Sequence, residues 1–550
     1  MPGLRDERPM SRDVFRRYPA LAYLVGAGML AVLLPSALTL PNSGPPTLAE
    51  YAPVTGEGEG TGDVSALGQA GSGGLGFGSG RGRRDAPDQV TDPSDGIAQT
   101  RPGNKRCAGT PPRQTEDPLS PPCIGFFNGN NGGATARGVT GSEVRVFVET
   151  ETSDSNRGRI VDCGDPPAQD ETPQDLVCKA YMTYFNERYQ TYGRRVRLYS
   201  VHDLRVPDIE GREPFAIATM GVEVQAGRRG IVSVGYNSIR RQNYQAASPH
   251  LFGFRADHVD HYRIGASYVC NELAGRPAVH SGNVADRSKP RRFAIWHDDT
   301  DGEQRDLLVR HLNDLCGLEV THFAARPNDP GAPGRFRSDD VTSVIALFQG
   351  QSAVTPTTLA TNQGWFPEWV VLGDTGGRGL DTNFYARTAN QASWANAFGI
   401  TFDYRRDSIP EQHWYRAYRE GCPDCPDFTA AQSGGSNAPY AYDMLTMLFY
   451  GIQAAGPRLT VANLDRGLHA IPQSSSTGPY RPAAYFEPGG YTYLKDAARI
   501  WWDPSGQPPG SPGSGCWRLP EEGRRHRAGE WRSDDGRVKG QGPCQGDSFR

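Results

Sequence analysis

Apolar and polar positions between residues 141 and 203 change their spacing twice. Val144, Val146 and Val148 alternate with charged or aromatic residues. Apolar residues then recur at helical spacing from Leu176 to Phe185, and strand alternation restarts at Val196, Leu198 and Ser200. Alternation with a period of two predicts a strand, and spacing of three to four predicts an amphipathic helix. A strand, a helix and a second strand within about 60 residues form a βαβ unit, which predicts a parallel sheet.

The same alternation of strand and helix patterns continues to residue 503. Strands are predicted at 230–235, 292–296, 318–323, 341–347 and 369–373. Helices are predicted near 215–225, 262–273, 303–315, 355–362, 440–455 and 461–468. Extended crossovers are predicted at 251–255 and from 399 onward, with terminal strands within 480–502. Two runs of βα units separated by crossovers predict an α/β protein with two doubly wound, Rossmann-like lobes joined by a multi-strand hinge.

Four segments carry a family resemblance through their order and spacing. They are FNERYQTYGRRVRLYSVHD before residue 203, PHLFGFRAD near 250, RRFAIWHDDTDGEQRDLLVRHL from 291, and YAYDMLTMLFYGIQAAG from 440. Together they resemble the type 1 periplasmic solute-binding proteins, the family of the branched-chain amino acid binders of ABC transporters. The resemblance covers about 140–503. It implies a first lobe at 141–255 plus 403–477, a second lobe at 256–402, and hinge strands at 478–503. Residues 504–550 lie outside the pattern and are expected to form an irregular tail.

The N-terminal region has the pattern of an export signal. A basic flank at 1–17 precedes an apolar run at 18–40, which favours an uncleaved signal anchor over a cleaved signal peptide. Residues 41–104 are Gly-rich and are expected to form a disordered linker. The domain is therefore predicted to lie outside the cell, tethered to the membrane, or secreted if the run is cleaved. The net charge of −4 offers no electrostatic argument for a nucleic-acid partner.

Ten cysteines fit an oxidising compartment. They fall into near pairs along the chain, which suggests five disulfides, the first of which would staple residues 105–140. Cys422 and Cys425 form a CxxC motif in a loop, and a structural disulfide is favoured there over a redox or zinc site. Ten cysteines allow many connectivities, and pairing of nearest neighbours would give Cys107/Cys123, Cys163/Cys178, Cys270/Cys316, Cys422/Cys425 and Cys516/Cys544.

The ligand site of such a fold is expected where the strands of the two lobes end. The loops at these ends supply the candidate ligand-binding residues, which are Tyr236, Asn237, Ser238, Asp299, Gln349 and Asp374. The resemblance implies that Asn237 and Ser238 hold a ligand carboxylate and that Asp374 meets an ammonium group. Tyr236 and Trp296 are expected to form apolar walls.

One departure from the family pattern concerns the ligand. Family members have a further strand after the loop that corresponds to GYNS, and it ends in hydroxyl and amide donors. Here SIRRQNYQAASPHLFGF runs from Ser238 almost directly to the crossover. The expected solute is therefore left as an amino acid, an amide or a similar small polar molecule. Arg240 and Arg241 are interpreted as a solvated turn, with a preference for a more acidic solute as the alternative.

The sequence offers little support for an enzyme or a metal site. HExxH, GxSxG, P-loop and GxGxxG motifs do not occur in a suitable context, so neither an enzyme nor a cofactor is expected. His258 and His261 share a helical face, but a solvent-exposed helix start capped by an acidic residue is favoured over a metal site. The predicted function is solute capture for an ABC-type permease. A membrane-tethered sensor and, less favoured, a hydrolase with Ser238 as nucleophile remain as alternatives.

Overall fold

The computed structural model describes residues 113–547 and the two-residue strands Gln89–Val90 and Cys107–Ala108. Within 113–547 it omits 116, 118, 126, 152–156, 167, 169, 298–301, 323–327, 374–378, 428–436, 472–481, 512 and 533–540. The predicted anchor at 18–40 and its basic flank lie outside the described residues. So does the predicted linker, apart from Gln89–Val90, which pairs with Phe127–Asn128. Among the helices that the structure describes, none is long and apolar enough to cross a membrane.

The first lobe is built on a six-stranded sheet in the order β6-β5-β4-β1-β3-β2. All neighbouring strands are parallel except β2, which runs antiparallel to β3. In chain order the strands are β1 (Glu143–Glu151), β2 (Ile160–Asp162), β3 (Arg195–His202), β4 (Ala216–Thr219), β5 (Val232–Gly235) and β6 (Leu251–Gly253).

Helices cover both faces of this sheet, as the doubly wound prediction requires. Val144, Val146 and Val148 of β1 point into one core, shared with α1 and with three helices from the C-terminal half of the chain. Phe147 of β1 points to the opposite core beneath α2 and α3. The helices are α1 (Pro173–Arg188), α2 (Val206–Glu210), α3 (Glu223–Arg228) and α4 (Arg241–Ala247).

The second lobe contains an eight-stranded sheet whose main order is β8-β7-β9-β10-β11-β12-β13, with β14 also paired to β12. Its strands are β7 (Phe293–His297), β8 (Thr321–His322), β9 (Ser343–Leu347), β10 (Glu368–Leu372), β11 (Ala397–Thr401), β12 (Ala497–Asp503), β13 (Cys516–Arg518) and β14 (Arg525–His526). Strands β7 to β11 are parallel, and β12 to β14 pair antiparallel.

Helices again lie on both faces of the second sheet, and the chain then returns to the first lobe. The helices of the second lobe are α5 (His258–Tyr268), which continues as a π-helix at Val269–Leu273, α6 (Gly302–Cys316), α7 (Ala332–Ser338), α8 (Val354–Asn362), α9 (Asn383–Thr388) and α10 (Gln391–Trp394). Those that pack on the first lobe are α11 (His413–Gly421), α12 (Ala438–Ala455) and α13 (Val461–His469). The predicted α/β class with two doubly wound sheets is confirmed.

Three crossovers connect the lobes, and two of them are hydrogen-bonded side by side. Gly253 donates to the carbonyl of Tyr491 at 2.7 Å, and Leu494 donates to that of Phe254 at 3.0 Å. The third crossover, residues 402–407, is held by the C-terminal segment: Arg525 donates to the carbonyls of Phe402 and Asp403, both at 2.8 Å. The hinge is therefore multi-stranded.

Several local predictions differ from the structure. Residues 215–225 were expected to be one helix, but they hold strand β4 and the start of α3. Strand β4 is buried on both faces, so its short apolar run lacks the alternation that distinguishes a strand from a helix. The expected crossovers at 251–255 and 399–402 begin within strands, because β6 and the end of β11 still pair with their neighbours.

The C-terminal segment also differs from the expected irregular tail. Strand β12 sits between β11 and β13 in the second sheet, and β13 and β14 lie beyond residue 503. Trp517 and Arg525 are fully buried there. A large aromatic side chain buried against the sheet explains why this segment is ordered despite its Pro- and Gly-rich composition.

Four of the predicted disulfides are present in the described residues. They join Cys163 to Cys178, Cys270 to Cys316, Cys422 to Cys425, and Cys516 to Cys544. Cys123 is also disulfide-bonded, while the side chain of Cys107 lies outside the described residues. The two cysteines of the CxxC motif are thus joined to each other, as predicted.

Candidate functional site

A cavity opens where β5 ends, between the first sheet and the crossover that follows β11. Its volume is about 540 Å³, part of which is open to solvent. Four elements line it: the residue after β5, the crossover, the start of α11 and the first turns of α12. The lining residues are Tyr236, Asp403, Tyr404, Arg405, Arg406, Asp407, Glu411, Gln412, His413, Trp414, Pro439, Tyr440 and Asp443.

Aromatic rings form one wall of this cavity. The ring of Tyr236 stacks on Phe254 with centroids 5.4 Å apart and lies 4.4 Å from the ring of Tyr440. The guanidinium of Arg255 lies 4.9 Å from the centroid of the Tyr236 ring. Burial raises the pKa of Tyr236 well above its ordinary value, so its phenol stays neutral. The wall is therefore apolar and π-rich, as suits a small organic group.

A buried charge network forms the base of the cavity. Asp403 pairs with Arg255 and, at 3.0 Å, with Arg406. Burial opposes ionisation of Asp403, but the two guanidinium groups outweigh it and hold the pKa of that carboxyl below its ordinary value. These three charges therefore satisfy one another within the protein and fix the crossover against the edge of the first sheet.

Asp443, on α12, has a different environment. Its Oδ1 accepts a hydrogen bond from the phenol of Tyr404 at 2.7 Å. Among the described residues no Lys, Arg or His forms an ion pair with it. Burial, together with the charges of Asp117 and Asp403, raises the pKa of Asp443 well above its ordinary value. The cavity therefore contains one carboxyl group that prefers its neutral form until a cation approaches.

The structure brings only part of the predicted site to this cavity. Tyr236 lines it directly. Asn237 follows, and its amide donates to the carbonyl of Met220, while its Oδ1 is buried with no hydrogen-bond partner in the described structure. Gln349 is exposed in the second lobe, at the start of a short 3₁₀ helix. Asp299 and Asp374 lie outside the described residues. Trp296, expected as a wall, is fully buried in the core of the second sheet.

Ser238 is engaged by the protein itself. Its hydroxyl donates to the carbonyl of Ala256 at 2.5 Å, and His258 Nε2 donates to the backbone carbonyl of Ser238 at 3.0 Å. A nucleophilic serine needs a base on its hydroxyl oxygen. Here the neighbouring imidazole bonds the backbone instead, so this geometry does not assemble the pair that the hydrolase alternative needs.

His258 and His261 differ from the predicted exposed pair. Asp257 caps α5 by accepting from the amide of Asp260 at 3.0 Å, as expected, but both imidazoles are buried. His261 stacks on Phe402 at 4.3 Å, and burial lowers its pKa to about 3. The described residues contain no cluster of three or more metal-ligating side chains. The two histidines therefore contribute to the packing of the hinge.

The two arginines after Ser238 are paired within the chain. Arg240 forms an ion pair with Glu303 at the start of α6, so it joins the loop of the first lobe to the second lobe. Arg241 pairs with Asp257 at 2.7 Å and with Asp260 at 3.0 Å. Both side chains are partly exposed, as a solvated turn requires, and their ion pairs lie close to where the lobes meet.

Sequence reasoning missed the residues that matter most in the cavity: Asp403, Tyr404, Tyr440 and Asp443. One signal was available. Asp443 is the only charged residue in α12, which is otherwise apolar or uncharged from Ala438 to Ala455. An acidic residue is rarely buried unless it is paired or has a function. Its presence in an otherwise apolar helix is therefore a signal of a functional site.

Two further buried carboxyl groups, those of Glu149 and Glu223, lie at the same edge of the first sheet. Glu149 accepts from the hydroxyl of Thr219 and the amide of Met220, both at 2.8 Å. Glu223, on α3, packs against Gly235, where a Cβ atom would lie 2.8 Å from the Glu223 side chain. Burial, with a smaller contribution from Glu149, raises the pKa of Glu223 to about 7.

This shift predicts a pH-dependent stability. The folded state binds the Glu223 proton more tightly than the unfolded state, so stability is full below pH 4.5 and falls as pH rises through about 7. The difference between the two pKa values corresponds to ~3 kcal/mol. Glu223→Gln should therefore stabilise the protein by up to that amount at pH 8 and little at pH 4.5. Urea unfolding at both pH values measures this, with the exposed Glu213→Gln as control. Equal effects at the two pH values would contradict the assignment.

Comparisons with known proteins give structural similarities only. No protein-family model matches the chain, and no curated protein matches it in sequence. Similar solved structures include the leucine-, isoleucine-, valine-, threonine- and alanine-binding protein of Brucella ovis in a closed conformation (10% identity, 72% of this chain and 98% of that one, TM-score 0.47).

Two further similar structures come from other bacteria. One is a fatty acid ABC transporter substrate-binding protein of Thermomonospora curvata (12% identity, 74% of this chain and 96% of that one, TM-score 0.43). The other is an ABC transporter solute-binding protein of Rhodopseudomonas palustris with 3,4-dihydroxybenzoic acid (10%, 70% and 97%, TM-score 0.44). These proteins are of the same kind as the family that the sequence resembles.

Proposed function

We propose that this protein captures a small polar solute in the cavity at the edge of the first sheet, without catalysing a reaction. The observation that carries the proposal is the cavity itself: aromatic rings and buried polar groups converge where β5 ends, beside a crossover between the lobes. Ligand sites of doubly wound folds lie at the carboxyl ends of the strands. Apolar walls with a few placed polar groups suit binding of a small organic molecule.

The hinge supports capture by relative movement of the lobes. Residues 403–407 are both a wall of the cavity and a connection between the lobes, so a solute that contacts them would affect the crossover directly. Arg240 and Glu303 form an ion pair between the lobes close to Ser238. Closure needs only contacts that are better in the closed state than in the open one.

The cellular role follows from the sequence pattern. The basic flank and apolar run at the N-terminus support export and membrane tethering, and the disulfides fit an oxidising compartment. We propose that the captured solute is delivered to an ABC-type permease in the same membrane. The family resemblance in the sequence supports this partner.

A thermal-shift screen of the full chain tests solute capture. Amino acids, amides, amines, polyols and carboxylates are added singly, and the specific solute should raise the melting temperature with concentration. At 100 times the dissociation constant the stabilisation is about 2.7 kcal/mol. Tyr440→Ala removes a ring of the cavity wall and should therefore lower the affinity for the solute at least about ten-fold, as judged from the concentration needed for a given shift. Phe384→Ala, which removes an exposed ring of the second lobe, should not. No response to any class would favour a sensor or interaction module instead.

A further inference from the structure

The carboxyl group of Asp443 is buried, lines the cavity and has no cationic partner among the described residues. Its side chain comes from the second turn of α12, next to Tyr440 and opposite Tyr404. A carboxyl group at such a position costs stability when ionised, and proteins retain one when it has a task.

The charged and titratable groups around Asp443 come from every element packed near it. The crossover brings Asp403, Tyr404, Arg406 and the ion pair of Arg405 with Asp407, and the turn before α11 brings the exposed Glu411. The edge of the first sheet brings Tyr236 and Arg255. The segment before β1 brings Asp117, and α1 brings Tyr181. α11 brings His413, which lies 3.9 Å from Asp117, and α12 itself brings Tyr440.

The two arginines in this group are engaged by another carboxyl, since Arg255 and Arg406 both pair with Asp403. The charge of Arg255 also lowers the pKa of Asp443, but burial outweighs it and the pKa stays raised. Tyr404, Tyr236 and Tyr181 all have raised pKa values because they are buried, so they remain neutral. What remains is one buried carboxyl, that of Asp443, which forms no ion pair within the described residues. It lies beside further carboxylates and π-rich walls, and this combination attracts a cation.

We propose that the solute is a small organic cation whose ammonium group pairs with Asp443 between the rings of Tyr236 and Tyr440. This inference rests on the proposed solute capture and names its chemical class. Below the pKa of Asp443 in the free protein, binding converts it from the carboxylic acid to the carboxylate, and one proton leaves to solvent for each cation bound. The ammonium keeps its own protons and donates to the carboxylate.

Proton release gives the binding a definite pH dependence. Below the pKa of Asp443 in the free protein, each unit of rising pH strengthens cation binding about ten-fold. Above that pKa the affinity becomes constant. Tyr404→Phe removes a hydrogen bond that favours the charged carboxyl, and should therefore move this transition to higher pH.

The experiment uses three compounds that share an isobutyl group and differ in charge: the cation isobutylammonium, the neutral isobutanol and the anion isovalerate. Titration calorimetry is run on the full chain at pH 5 and pH 8, in two buffers of different ionisation enthalpy at each pH. The expected result is binding of isobutylammonium only, stronger by at least ten-fold at pH 8, with proton release at pH 5. Asp443→Asn should abolish the pH dependence and weaken cation binding at least ten-fold, while the exposed Asp170→Asn changes neither.

The outcomes separate this inference from the proposed function. Asp443→Asn replaces a neutral acid by a neutral amide of the same shape, so its melting temperature at pH 5 should match the parent protein. If that variant does not fold, the buffer comparison on the unaltered chain and the Tyr404→Phe shift still decide. Binding of isovalerate, or of a zwitterion, without isobutylammonium overturns the inference and leaves solute capture standing. A cation that binds without proton release at pH 5 overturns it as well. No binding in this series or in the wider screen overturns both.

Discussion

Replacing Arg525 by alanine should lower the free energy of unfolding by about 3–5 kcal/mol. Arg525 is fully buried and pairs with Asp496 through Nε at 2.8 Å. Its other nitrogens donate to the carbonyls of Phe402, Asp403 and Asp496. The alanine variant leaves the Asp496 carboxylate buried without its cation and three carbonyls without their donor, which is the costly way to break a buried pair.

The neighbouring residue provides a matched control for Arg525. Arg524 is exposed, so Arg524→Ala removes the same side chain at almost the same place and should change stability by less than about 0.5 kcal/mol. Arg525→Lys keeps the charge but not the planar fork, and should fall between the two. Urea unfolding measures all three. A loss below about 1 kcal/mol for Arg525→Ala would show that the C-terminal segment does not hold the hinge.

Replacing Gly421 by alanine is the second change for which a large effect is expected. Gly421 ends α11, and a Cβ atom there would lie 1.9 Å from the carbonyl oxygen of Ala180 in α1. The neighbouring atom is backbone, so one helix must move away from the other. Such overpacking should destabilise the protein by about 3 kcal/mol. Because the first turn of α11 lines the cavity, the solute response should fall too.

A helix-end glycine elsewhere separates the clash from the general effect of glycine replacement. Gly211 follows α2 with φ −67°, and a Cβ atom there would meet nothing within 4 Å. Gly211→Ala should therefore be neutral or slightly stabilising, since alanine restricts the unfolded chain. Urea unfolding and the thermal-shift response compare the two variants. If the two variants have similar free energies of unfolding and similar thermal-shift responses, the close approach of α1 and α11 does not position the cavity wall.

The sequence by itself determined the class of the fold and much of its order. In strands β1 and β3 successive side chains point to opposite faces of the sheet, and in α1 apolar residues recur at helical spacing. Both patterns can be read from a short stretch of sequence. The disulfides could be paired by proximity along the chain because their partners are close in sequence. Strand β4 could not be recognised, since a strand buried on both faces loses its alternation.

Only the tertiary structure decided the candidate site and the role of the C-terminal segment. Tyr236 and Asp443 are about 200 positions apart, and the sequence around each residue does not show that the two line the same cavity. Whether a carboxyl group is neutral depends on desolvation and on which cations lie near it, and these follow from packing rather than from sequence spacing. Asp403 and Asp443 line the same cavity, yet Asp403 is paired with two arginines and Asp443 with none among the described residues. That difference in surroundings turns one carboxyl into a hinge support and the other into the proposed binding group.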